Sequence, residues 1–91
     1  MELRLTETAI EEIRFFHKTG QKAILKKIEA LLSEIEQNPF SGTGKPEALK
    51  HNLSGLWSRR INREHRLVYE IRENTVFILS VKGHYLLLLN F

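Results

Sequence analysis

Ninety-one residues are enough for one compact domain with one hydrophobic core. The chain has no cysteine, which excludes disulfides and thiolate metal centres. A net charge of +3 and a sequence pI near 9.5 weakly favour an anionic partner.

In chain order, the opening stretch MELRLTETAIEEIR is charged and has no long apolar run, so no signal peptide is expected. Glu2 to Leu5 alternates polar and apolar residues, which predicts a short first strand. Thr8 followed by Glu11 matches a capping box, the hydroxyl taking the Glu11 amide and the carboxylate returning to the Thr8 amide. Ala9, Ile10, Ile13 and Phe16 then fall on one helical face, and Gly20 tolerates the left-handed conformation at a helix end. Ile24, Ile28, Leu31, Leu32 and Ile35 form the apolar stripe of a second helix from about residue 21 to Asn38-Pro39. The close join predicts a helical hairpin.

Residues 40–46, FSGTGKP, read as a glycine-bearing loop that also takes in Glu47. From Leu56 onward LWSRRI, HRLVYEI and TVFILSV are short and rich in β-branched or aromatic residues, with polar breaks at residues 62–64 and 72–74 that suit hairpin turns. The expected architecture is α+β: an N-terminal strand, a helical hairpin, then an antiparallel sheet of three to four strands, in one domain over residues 1–91. The apolar run at residues 86–89 is too short to span a bilayer, so no membrane partner and a cytoplasmic location are expected.

Charge is concentrated in residues 45–66. Lys45, Lys50, Arg59, Arg60, Arg63 and Arg66 face only Glu47 and Glu64 there, a surplus larger than that of the whole chain. Such confinement is the footprint of a face that binds a polyanion. RNA carries its own nucleophile, the 2′-hydroxyl. A cleaving site therefore needs a base, an acid for the leaving 5′-oxygen, and cations for the transition state. Glu47 is a candidate base and His84 a candidate acid, since imidazole titrates near pH 6.5. Arg60 and Arg66 offer planar paired donors for phosphate. Trp57 and Tyr85 can stack on a base, and Lys50 and His51 stand beside them as candidate substrate contacts.

Plainer readings accompany each residue. Glu47 alone is a solvated carboxylate, Trp57 is more often core than platform, and Lys50, His51, Arg63 and His65 suit an ordinary surface. Arg59 and Arg60 are strand neighbours and point to opposite faces, so one of them is structural or merely exposed. Glu64 can pair with an arginine. The histidines lack zinc spacing, GTGK lacks the rest of a P-loop, and no Ser-His-Asp triad exists because the chain has no aspartate. No metal or cofactor is expected.

Residues 39–69, PFSGTGKPEALKHNLSGLWSRRINREHRLVY, together with His84-Tyr85, resemble the signature of the YoeB/Txe toxins, part of the RelE-like superfamily of bacterial toxin–antitoxin systems. The likeness covers nearly the whole chain. It implies a metal-independent endoribonuclease that cuts mRNA in the ribosomal A site and arrests translation. By position, the resemblance places the general base on Glu47, the transition-state arginine on Arg66 with Glu64 in support, and the general acid on His84 beside Tyr85. Lys50 and Arg60 match phosphate-contacting positions. An acidic antitoxin of the YefM/Axe kind is implied as partner, with ribosome and mRNA, operator DNA through the antitoxin complex, and a homodimer. Shorter family members stop at the His-Tyr pair, whereas here residues 86–91, LLLLNF, follow as an apolar extension. Two other classes use the same features: a non-catalytic ParE-like toxin, and a basic nucleic-acid-binding module that serves only repression.

Overall fold

The computed structural model describes residues 1–83, which form β1 (Glu2–Leu5), α1 (Glu7–Lys18), α2 (Lys22–Gln37), β2 (Glu47–Ala48), β3 (Leu56–Arg60), β4 (Arg66–Arg72) and β5 (Thr75–Ser80). The order is the expected one, with one addition: Glu47 and Ala48 form a two-residue edge strand instead of lying in the loop. The strands make one sheet in the order β1-β5-β4-β3-β2. β5, β4, β3 and β2 are antiparallel neighbours, while β1 lies parallel to β5 with Leu3 opposite Val76.

The cap of α1 differs from expectation. Thr6, not Thr8, begins the helix: its Oγ1 accepts from the Ala9 amide at 3.2 Å, and its hydroxyl donates to the carbonyls of Ile78 at 2.8 Å and Leu79 at 3.2 Å. Thr8 sits exposed in the first turn. The cap therefore also ties α1 to β5, at the point where the β4–β5 register slips. Tyr69 pairs with Ile78 but Val68 pairs with Ser80, so Leu79 is the extra residue of a bulge that bends the end of β5. At the other end Gly20, with φ +68°, turns the chain into α2.

The two helices cover one face of the sheet. Ala9 and Phe16 of α1 and Ile28, Leu31 and Ile35 of α2 are buried against Leu67, Tyr69, Val76 and Ile78. Burial of each large apolar side chain stabilises the fold by about 1.5–3 kcal/mol before conformational entropy is counted. Period-two alternation sends Trp57, Arg59, Leu67 and Tyr69 toward the helices and Ser58, Arg60, Arg66 and Val68 to the other face.

Candidate active site

Three strands set the site. Glu47 of β2 stands opposite Ser58 of β3, and Arg60 of β3 stands opposite Arg66 of β4. Partners across a ladder share a face, so Glu47, Ser58, Arg60 and Arg66 lie together on the side away from the helices. Ser58 is fully buried, and its Oγ accepts from both Nε and Nη2 of Arg66, at 3.1 and 3.0 Å. One edge of the guanidinium is thereby held, and Nη1 has no partner among the described residues. Opposing Arg60 to Arg66 sets like charges side by side, which destabilises a bare sheet and is relieved by an anion between them.

Arg59 is the structural member of the arginine pair. It is wholly buried under the helices. Its Nε donates to the Tyr69 hydroxyl at 3.2 Å, its Nη2 to the carbonyls of Asn38 at 2.8 Å and Ser41 at 2.9 Å, and its Nη1 to that of Thr43 at 3.3 Å. Glu34 of α2 pairs with it at 3.6 Å. Tyr69 in turn donates to the Pro39 carbonyl at 2.6 Å, and burial pushes its phenol pKa up against the opposing effect of Arg59. Residues 38–44 are thus drawn onto β3 by one guanidinium. The Arg60 amide completes the docking on the Gly44 carbonyl at 2.7 Å. Gly44, at φ +81°, runs so close to β3 that a Cβ would lie 3.0 Å from the Arg60 carbonyl. The GTGK element is therefore a close-approach loop that delivers Pro46 and Glu47 to the sheet edge. Period two contained a sign of Arg59's role: reading Trp57 as core puts residue 59 on the core side as well.

The far side of the site is the end of β5. Glu12 of α1 accepts from the Val81 amide at 2.8 Å and from the Ser80 hydroxyl at 3.2 Å. The Arg66 amide donates to the Gly83 carbonyl at 3.0 Å, and the Gly83 amide donates to His65 Nδ1 at 2.8 Å. Neither Glu12 nor His65 was legible as a site-building residue, because their partners are distant in sequence. His84, Tyr85 and the apolar extension at 86–91 lie outside the described residues.

The remaining candidates are spread around this centre. Glu64 is exposed in the turn between β3 and β4, and its carboxylate forms no ion pair with Arg66. Lys50 and His51 are exposed at a 3-10 turn, His51–Leu53, where His51 has φ +60°. Trp57 is half-buried against the core and edge-to-face with Phe40 at 5.3 Å, on the opposite face from Glu47 and Arg66. The described residues hold no group of three acidic or histidine side chains suited to a metal ion, and no helix among them is long and apolar enough to cross a membrane.

Comparison with known proteins gives one consistent answer. A family model described as a YoeB-like toxin of bacterial type II toxin–antitoxin system matches residues 5–85. Toxin YoeB of Synechocystis is 47% identical over 85 residues, covering 93% of this chain and 98% of the relative. Among solved structures, a YoeB/ParE toxin from Agrobacterium tumefaciens superposes with a TM-score of 0.87 at 34% identity, covering 93% of this chain and 100% of the other. YoeB of Staphylococcus aureus, solved as a dimer and in a heterotetrameric complex with YefM, is 44% identical with TM-scores of 0.81 and 0.80, covering 93% and 98% of the two chains. The chain belongs to the YoeB-like family of toxins of bacterial type II toxin–antitoxin systems.

Proposed function

We propose that the chain is an endoribonuclease that cuts mRNA in the ribosomal A site, using the substrate's own 2′-hydroxyl as nucleophile. Glu47 takes the 2′-hydroxyl proton, and the oxygen attacks the adjacent phosphorus. The bond from phosphorus to the 5′-oxygen breaks, and His84 gives that oxygen its proton. The products are a 2′,3′-cyclic phosphate and a 5′-hydroxyl, with atoms and charge balanced and no metal required. Arg66 meets the charge that grows on the non-bridging oxygens, where a preoriented donor contributes about 10²–10³ in rate. Arg60 and Lys50 hold flanking phosphates. The role given to Tyr85 is to orient the phosphate, and Glu64 and His51 act at the rim.

The observation that carries this reading is the assembly on one face of Glu47, Ser58 and Arg66, with Gly83, the residue before His84 in sequence, bonded to the Arg66 amide. A binding protein has no need of a carboxylate on the same face as an arginine whose guanidinium is aimed by a buried hydroxyl. The YefM complex and the dimer of the Staphylococcus aureus relative support an antitoxin partner and a homodimer for this chain.

Primer-extension mapping of a cellular mRNA after brief expression tests the reading. Wild type is expected to give discrete A-site cuts, and Glu47→Ala, Arg66→Ala and His84→Gln each to reduce them by roughly 10²–10⁴-fold while the fold persists. Full cutting by all three variants would refute the assignment. Intact mRNA with DNA damage would favour a ParE-like poison instead.

A further inference from the structure

We propose that His65 is a positioning residue for RNA cleavage: by accepting the Gly83 amide on Nδ1, it holds Gly83, the residue before His84 in sequence, against the start of β4. The inference rests on the endoribonuclease reading above.

Both polar backbone groups of Gly83 are taken by consecutive residues of one strand entry. Its amide donates to His65 Nδ1 at 2.8 Å, and its carbonyl accepts from the Arg66 amide at 3.0 Å. β5 has ended at Ser80, so no ladder supplies an acceptor for that amide, and the imidazole replaces one. His65 is itself immobilised. Its amide donates to Asn62 Oδ1 at 2.8 Å, and its carbonyl accepts from the amides of Ile61 at 3.0 Å and Asn62 at 3.2 Å. Its ring stands edge-to-face on the buried Phe16, with centroids 5.1 Å apart. The helix layer thus holds the ring, the turn holds its backbone, and Nδ1 is aimed at one amide. The bond requires the tautomer with its proton on Nε2.

The consequence is geometric. Arg66 sits on β4, while His84 follows β5 in sequence, and the two strands are out of register at the Leu79 bulge. A general acid misplaced by about 1 Å costs on the order of 100-fold in rate. The bond from His65 and the bond from Arg66 together fix Gly83, the last residue before His84 in sequence, whereas a histidine serving only the core would need its contact with Phe16 and no acceptor.

Three substitutions separate these roles. His65→Leu keeps apolar contact with Phe16 and has no acceptor. His65→Asn places Oδ1 near the position of Nδ1. His65→Gln carries its acceptor to the Nε2 position instead. On ribosome-bound mRNA, His65→Leu and His65→Gln are expected to lower kcat roughly 10- to 100-fold with KM changed less than about twofold, and His65→Asn to recover most of kcat. Wild type is expected to show a scalar coupling between the Gly83 amide nitrogen and His65 Nδ1 by NMR. If His65→Leu does not fold, the contrast between His65→Asn and His65→Gln decides. Unchanged kcat in His65→Gln, equal impairment of His65→Asn and His65→Gln, or absence of the coupling overturns the proposal. A wild-type chain that leaves ribosome-bound mRNA uncut overturns the nuclease reading, and the catalytic role of His65 falls with it. A wild type that cuts while His65→Gln cuts equally well overturns the positioning role alone.

Discussion

Arg59 and Arg60 are adjacent in sequence and opposite in fate. Arg60 meets solvent beside Arg66, and Arg59 spends its donors on three loop carbonyls and a tyrosine. A charge that deep is tolerable only while those partners remain. Arg59→Met would strand the three carbonyls, remove a donor to the Tyr69 hydroxyl and take from Glu34 its ion-pair partner. It is expected to lower the unfolding free energy by about 3–5 kcal/mol, read from urea denaturation, with Arg59→Lys intermediate because an ammonium cannot reach all the partners. A loss below about 1 kcal/mol would mean that the loop docks without it. Sequence alternation shows that the two arginines part ways, but not which one turns inward. That choice depends on which face the helices cover, and only the shared side of Trp57 and Arg59 hints at it. Ser58 was invisible for a similar reason: a serine in a strand draws notice only when the arginine across the ladder is seen resting on it.

At the scale of elements, the site hangs on two short connections. The first is the loop over residues 38–46, which reads in sequence only as a glycine-bearing loop and whose Gly44 serves close packing. Gly44 combines φ +81° with a near-contact on the β3 backbone, whereas Gly20 has φ +68° with open space around it. Alanine at residue 20 should cost only the left-handed backbone strain, about 1–2 kcal/mol. Gly44→Ala adds a 3.0 Å contact with the β3 backbone, which the loop or the strand must relieve by a small shift, and Glu47 follows three residues later. Gly44→Ala is therefore expected to lower the thermal midpoint more than Gly20→Ala and to reduce mRNA cleavage at least roughly tenfold, whereas Gly20→Ala leaves cleavage near wild type. Equal effects in both assays would show that Glu47 is not placed by this approach. The second connection is the exit from β5, gripped by Glu12 and His65. The Thr6 cap belongs to the same region and explains the misplaced helix start. Thr8 and Glu11 satisfy a local pattern, but carbonyls 72 and 73 residues beyond Thr6 supply partners that no local pattern registers.

For the whole molecule, the strand–hairpin–strands order followed from the helical stripes with their stop signals and from β-branched or aromatic runs between polar breaks. The parallel docking of β1 beside β5 did not, since four residues of alternating pattern carry no information about their neighbour. β2 is shorter still and exists only because Arg59 and Gly44 bring residue 47 to the edge of β3. Long-range polar ties therefore join the helix layer to the site, and Glu34 is where acidity can reach them. Its carboxylate accepts from the Thr43 hydroxyl and amide and faces Arg59 and Lys27. The Thr43 hydroxyl and then the Thr43 amide lower its pKa below the ordinary 4.5; desolvation opposes them, and Arg59 and Lys27 add smaller lowering effects. A carboxyl lowered on folding stabilises the fold fully above its unfolded value and loses that contribution as pH falls through the folded one. Glu34→Gln keeps the side-chain size and removes the titration. The stability difference between wild type and Glu34→Gln is expected to stay constant from pH 7 to about 5.5 and to shrink steadily below 4.5. Thermal melts at closely spaced pH values read the difference directly. A gap that does not narrow in acid would mean that the α2 carboxylate does not tether the loop, and that Arg59 alone carries the load between the helices and Glu47.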